Sequence, residues 1–131
     1  MRPYERFEAW QLAHQLFLSV QKEIKSWPVD ERFAMVAQVR RSSLSVAANI
    51  VEGSAKRGPK EFRRFLDIAM GSMAETEYLL RAGKDLGYVS ADRWAPLDQL
   101  VSKAGRCLSG LARSLDGRGG GPPGRPTAGP P

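Results

Sequence analysis

The sequence predicts an all-α protein, an up-down-up-down antiparallel four-helix bundle, and three observations carry that expectation. Apolar residues recur at alternating three- and four-residue spacing along four long segments, the interval that places side chains on one face of a helix. Trp27-Pro28, Gly58-Pro59 and Gly87 fall between those segments, where helices stop and start. No stretch shows a competing strand pattern, and connections of a few residues between long helices make sequence neighbours antiparallel.

The first helix is expected from about Phe7 to Ser26, with Phe7, Trp10, His14, Phe17, Gln21 and Ile24 as its seam and Leu12, Ala13, Leu16 and Val20 widening the apolar face. It stops at Trp27-Pro28, because proline disfavours the helical conformation in the residue before it. Asp30 is placed to cap the second helix, expected over Glu31 to Ala55. The third follows Gly58-Pro59 and reaches about Leu86, with Phe62, Leu66, Ala69, Met73, Thr76, Leu80 and Gly83 in heptad spacing. The fourth carries Trp94, Leu97, Val101, Ala104, Leu108, Leu111 and Leu115 as an unbroken seam. Pro96 obscures where it begins, and Gly105 and Gly110 weaken its interior.

Composition divides the 131 residues in two. Residues 117–131 hold 6 of the 13 glycines and 5 of the 9 prolines, so they are read as a disordered tail, with Arg118 and Arg125 as solvated charges. Residues 1–116 form the single expected bundle domain, large enough to bury a core without metals or disulfides. No apolar run approaches the roughly 20 residues needed to cross a bilayer, and no secretory signal is visible, so the expected location is the cytoplasm and no membrane partner is expected. The formal charge of +6 favours polyanionic partners.

Catalytic chemistry is thinly supplied. One histidine, one cysteine and no glycine-rich phosphate loop do not make a convergent set of activated groups. His14 and Cys107 occupy packing positions. Glu52, Asp67, Glu75 and Glu77 suit a bundle di-metal site in type, but the Glu-x-x-His pairs of such sites are absent. The expectation is therefore no enzyme activity, no catalytic residue, no metal and no cofactor.

The second helix is the unusual element. Gln38, Arg41, Ser45, Asn49, Glu52 and Lys56 share one face as a polar row. Much of the remaining surface is apolar or small: Phe33, Met35, Val36, Ala37, Val39, Leu44, Val46, Ala47, Ala48, Ile50 and Val51. Either the helix is central and covered within its own bundle, or its second apolar side packs on another subunit, and self-association is the expectation adopted. At the next turn Lys56, Arg57, Lys60, Arg63 and Arg64 lie within nine positions against the single acid Glu61, a local net of +4. They are either a solvated helix end or a surface that contacts phosphates without reading sequence. Arg40 and Arg41, about four turns back, are secondary candidates.

Two long stretches, Gln38-Val-Arg-Arg-Ser-Ser-Leu-Ser-Val-Ala-Ala-Asn-Ile-Val-Glu-Gly53 and Lys60-Glu-Phe-Arg-Arg-Phe-Leu-Asp-Ile-Ala-Met-Gly-Ser-Met-Ala-Glu75, together with the opening Phe7-Glu-Ala-Trp10, carry a resemblance. The chain resembles the four-helix-bundle proteins first noted as reading frames in intervening sequences of bacterial 23S ribosomal RNA. The likeness spans nearly the whole bundle and omits the tail. It implies a protomer that assembles into a ring-like homopentamer, with basic surfaces that meet nucleic acid. Related proteins are accessory subunits of reverse transcriptases in diversity-generating retroelements. Ser54-Ala55-Lys56-Arg57 departs from the more glycine-rich run associated with that turn, and the resemblance supplies no catalytic residue.

The functional expectation is thus a non-enzymatic, homo-oligomeric module that binds RNA or DNA through the phosphate backbone by Lys56, Arg57, Lys60, Arg63 and Arg64. The alternative is a scaffold or accessory subunit that docks a partner protein, such as a retroelement reverse transcriptase.

Overall fold

The computed structural model describes residues 1–117, so from residue 118 onward the expected tail lies outside the described residues. A short 3-10 helix, Pro3–Arg6, leads into α1 (Glu8–Glu23), which tightens into a 3-10 turn at Ile24–Ser26. A second such turn, Val29–Glu31, precedes α2 (Met35–Ser54), and α3 (Gly58–Asp85) and α4 (Ala91–Asp116) follow. No strand occurs among the described residues. Helix α1 packs on α2 and α4, and α3 packs on the same two, with the α2–α3 contact the most extensive. All four helices supply one core, in which Leu16, Ile50, Leu66, Leu80 and Leu108 are wholly buried. Burying each such side chain contributes about 1.5–3 kcal/mol.

The punctuation residues act as their chemistry requires. Trp27 is extended ahead of Pro28. Gly58 and Gly87 adopt φ of +80° and +85°, a region open to glycine at little cost. At the end of α3 the Gly87 N–H bonds to the Lys84 carbonyl and the Tyr88 N–H to the Gly83 carbonyl, the paired closure of a Schellman cap. The hydroxyl of Ser90 accepts from the Arg93 amide and caps α4. Pro96 is thereby the sixth residue of α4, within its second turn.

All seven positions of the expected α3 seam are buried. The first two helices depart from expectation. Most of the seam assigned to α1 lies at the rim: of its six residues only Ile24 is buried, Phe7, Trp10, His14, Phe17 and Gln21 are half-buried, and Ala9, Leu12, Ala13, Leu16 and Val20 form the centre. Two parallel rows satisfied the same spacing, and the smaller side chains took the line of closest approach. Helix α2 begins at Met35 rather than Glu31, and Asp30 does not cap it, because Ala34 has the non-helical angles φ −117°, ψ −103°. Glu31 is engaged elsewhere, accepting from the Tyr88 hydroxyl at 2.7 Å. That bond, with burial and the nearby carboxylates, raises the Tyr88 pKa above the usual phenol value. Phe33, counted as part of the helix cover, is 88% exposed.

Two contacts set how the helices meet. On the α2–α3 seam, Gly53 lets α3 approach so closely that a Cβ there would stand 2.8 Å from the Phe65 Cβ. Below it runs a polar ladder. Thr76 donates to Ser42 at 2.8 Å, Ser45 and Ser72 share a hydrogen bond of 2.8 Å, and Gln38 donates to Glu75 at 2.7 Å. At the other end of α1, the buried Glu23 accepts from Trp27 Nε1 at 2.9 Å and from Arg93 Nε at 2.8 Å. The indole of Trp27 lies flush on Gly83, and Arg93 also bonds the Tyr88 carbonyl at 3.1 Å.

Candidate nucleic-acid interface

Lys56 and Arg57 occupy the turn between α2 and α3, and Lys60 the first turn of α3. The turn is short because Gly58 takes a left-handed conformation and Pro59 follows with its own φ suited to a helix start. All three cations are exposed, and among the described residues no carboxylate oxygen lies within 4.0 Å of any of them. Lys56 Nζ stands 5.3 Å from the centroid of the buried Phe65 ring, with the Arg64 guanidinium 4.7 Å from the same ring. Such contacts hold a cation at the surface without neutralising it.

Arg63 and Arg64 are differently placed. Arg63 Nε donates to Asp116 at 2.7 Å, and its Nη1 pairs with Asp67. Burial works against its charge, but Asp116 and Asp67 outweigh that and raise its pKa above the ordinary guanidinium value. The expected local +4 is therefore too high, since Asp67 and Asp116 fold against the same cluster. Arg63 ties the start of α3 to the end of α4. Arg64 pairs with Glu61 at 3.3 Å, with both side chains about half exposed. Exposed pairs of this kind contribute about 0–1 kcal/mol and open readily to a phosphate.

Arg40 and Arg41 are not gathered into this cluster. Arg40 donates to Gln21 of α1 at 3.1 Å, and Arg41 to Gln38 at 2.8 Å. They lie about 20 Å along α2 from the turn.

A second set of cations escaped the sequence-based expectation. Between Asp98 and Asp116, α4 carries Lys103, Arg106 and Arg113 with no acid. The seven-residue interval from Arg106 to Arg113, which puts both on one face, was the available signal.

The histidine and the cysteine are both half-buried. The His14 ring stacks on Trp10 with centroids 5.0 Å apart and planes 7° from parallel. Cys107 is half-buried, and burial together with Glu8 pushes its thiol pKa above the ordinary value. Its thiolate is scarce at neutral pH, and the thiolate is the nucleophile. Iodoacetamide should accordingly alkylate Cys107 in the native protein at least several-fold more slowly than in urea, as read by intact mass against time. Among the described residues no group of three or more His, Cys, Asp or Glu could hold a metal ion, and no helix is long and apolar enough to cross a membrane.

The outward side of α2 carries exposed apolar residues beside the exposed Gln38, Arg40, Arg41 and Glu52. Leu44 is 50% exposed, Ala48 is exposed, and Ala37 and Val51 are half-buried on the same stripe, with Leu18 of α1 also exposed. On α3, Ile68 and Tyr78 are exposed as well.

These features define an all-helical, four-helix protein whose distinguishing surfaces are a basic interhelical turn and an α2 face on which exposed apolar residues stand beside Arg40 and Arg41. The sequence profile described as 23S rRNA-intervening sequence protein matches residues 5–110, and the chain belongs to that family. A crystal structure from Bacteroides thetaiotaomicron VPI-5482, described as a protein with unknown function from the S23 ribosomal protein family, shares the fold. The two superpose with a TM-score of 0.72 at 23% identity, over 79% of this chain and 97% of that one. Comparison with curated proteins finds no significant match.

Proposed function

We propose that the protein is a non-enzymatic, homo-oligomeric nucleic-acid-binding subunit of the cytoplasm that grips the phosphate backbone of RNA or DNA at the α2–α3 turn. The observation that carries this reading is the trio Lys56, Arg57 and Lys60, exposed and without a carboxylate partner among the described residues. Arg64 joins them when its half-exposed pair with Glu61 opens, and Arg63 positions α3. Arg40 and Arg41, on the same side of α2 as Leu44, are secondary candidates, and a subunit contact there would compete with a phosphate for them. His14 and Cys107 serve packing.

The protomer is read as an up-down-up-down antiparallel bundle. Reversed pairings along the neighbouring helices support this: Gly53 meets Phe65 while Gln38 meets Glu75, Arg63 meets Asp116, and Glu23 meets Arg93. The outward stripe of Ala37, Leu44, Ala48 and Val51 is read as the subunit contact, and family membership favours a homopentamer. The basic turn then repeats around the symmetry axis and raises avidity without new contacts. A second reading, docking of a partner protein such as a retroelement reverse transcriptase, is favoured by the exposed Ile68 and Tyr78 on α3.

The test is a salt titration of binding. Lys56→Gln/Arg57→Gln/Lys60→Gln should reduce the slope of log affinity against log salt by about 2–3, near 0.7–0.9 per lost phosphate contact. Salt-insensitive binding, or none at low salt, overturns the reading. Light scattering should give five times the 14.4 kDa chain mass, and Leu44→Arg, at a position exposed in the protomer, should lower it towards the single chain.

A further inference from the structure

Along the contact of α3 with α4 runs an open groove of about 600 Å³ whose lining includes Ser102, Gly105, Arg106, Ser109 and Arg113 of α4 and Glu77 of α3. Its chemistry is periodic. Arg106 and Arg113 are seven residues apart, as are Ser102 and Ser109, so each pair repeats every two turns, about 10 Å along one face. Among the described residues Ser102, Arg106 and Arg113 make no side-chain hydrogen bond and neither arginine forms an ion pair, while Ser109 has only the thioether of Met70 at 3.8 Å. Gly105 faces open space, so no side chain fills the groove beside Arg106.

The two arginines are anchored about 10 Å apart along α4, a span that a row of phosphates matches, because a nucleic-acid strand in a duplex carries one every 3.4 Å or so of rise and presents one to each arginine. The serine hydroxyls are placed to donate to phosphate oxygens, and the absence of any aromatic ring from the lining removes a platform for base stacking. We propose that this groove is a second phosphodiester track, separate from the α2–α3 turn and indifferent to base sequence. It rests on the reading of the protein as a nucleic-acid binder. Arg113 lies one turn before Asp116, the partner of Arg63, so the track begins beside the basic turn and leads away from it along α4. Glu77 is the one carboxylate in the lining and opposes the ligand.

Glu77 supplies a test by gain of function. Fluorescence anisotropy with a labelled oligo(U) RNA and with a random-sequence DNA duplex, each across a salt series, is run on the full chain. Arg106→Gln/Arg113→Gln should reduce the salt slope by about 1–2 and weaken low-salt binding about tenfold, whereas Arg106→Lys/Arg113→Lys should retain most of both. Glu77→Gln should tighten binding about two- to fivefold, an outcome that damage to folding does not mimic. Lys22→Gln/Lys25→Gln, which removes the same charge from the end of α1 and the turn after it, outside this groove, controls for net charge. The track is overturned if the arginine variant matches that control, or if Glu77→Gln fails to tighten binding. If the arginine variant is unchanged while the turn variant loses its slope, the track falls and the functional reading stands. No binding by the wild type overturns both. Competition by polyglutamate as effective as by RNA of equal charge would overturn the assignment to nucleic acid in favour of an acidic protein.

Discussion

Gly83→Ala is expected to destabilise the protein by about 2–3 kcal/mol, a fall of roughly 10 °C in melting temperature. Alanine is ordinarily the better helix residue by about 1 kcal/mol. Here the new methyl would lie 2.6 Å from Cη2 and 2.7 Å from Cζ2 of Trp27. The ring cannot retreat easily, because its N–H is held by the buried Glu23 and its neighbour Tyr88 packs with centroids 5.5 Å apart. Gly71→Ala is the internal control. It lies on the exposed side of the same helix with nothing within 4 Å of the added carbon, and it should stabilise by up to about 1 kcal/mol. A thermal melt of both variants checks the sign reversal. Equal shifts would remove the steric account. Combining Gly83→Ala with Trp27→Leu should cost less than the sum of the single changes, since the second change removes the clash.

Glu23→Leu should also be costly, because it leaves polar groups of unequal tolerance without their acceptor. Arg93 is about half exposed and can turn to water. The Trp27 indole N–H cannot, since the residue is 5% exposed. An unpaired buried donor costs about 1–3 kcal/mol. Chemical denaturation should therefore show a loss of about 2 kcal/mol in Glu23→Leu, while Arg93→Gln, which leaves the indole bond in place, loses less. Equal losses would mean that the ion pair, rather than the indole bond, dominates the site.

The architecture was legible where a residue type admits one physical role. Proline after Trp27, the Gly58-Pro59 step and Gly87 marked three helix ends, and the α3 seam from Phe62 to Gly83 was assigned correctly throughout. Spacing failed where two answers shared a period. In α1 the rows beginning at Phe7 and at Ala9 are both helical, and only packing decides that the small residues go inside. It failed again at Glu31, whose hydrogen-bond partner Tyr88 is 57 residues away. The site was partly legible for a related reason. A charge count over nine positions registers Glu61 but not Asp67 or Asp116, and Asp116 reaches Arg63 only because α4 returns to the start of α3. Arg106 and Arg113 went unnoticed because, seven positions apart, they form no run. Family membership conveys the four-helix fold, while which cations stand free of carboxylates depends on these pairings in three dimensions.

The hydroxyl ladder between α2 and α3 has a consequence for alignment. A purely apolar seam tolerates sliding by one turn, since a leucine meets one neighbour nearly as well as the next. Ser42 with Thr76, Ser45 with Ser72 and Gln38 with Glu75 do not. A one-turn slip would break all three inter-helix bonds together, and although Ser42 and Thr76 keep their bonds to the Val39 and Ser72 carbonyls, the cross-seam partners would be lost rung after rung. The ladder thus works as a vernier, selecting one setting of two long rods among several of similar hydrophobic content. That setting brings Gly53 opposite the Phe62–Phe65 turn and holds the basic turn in a single shape.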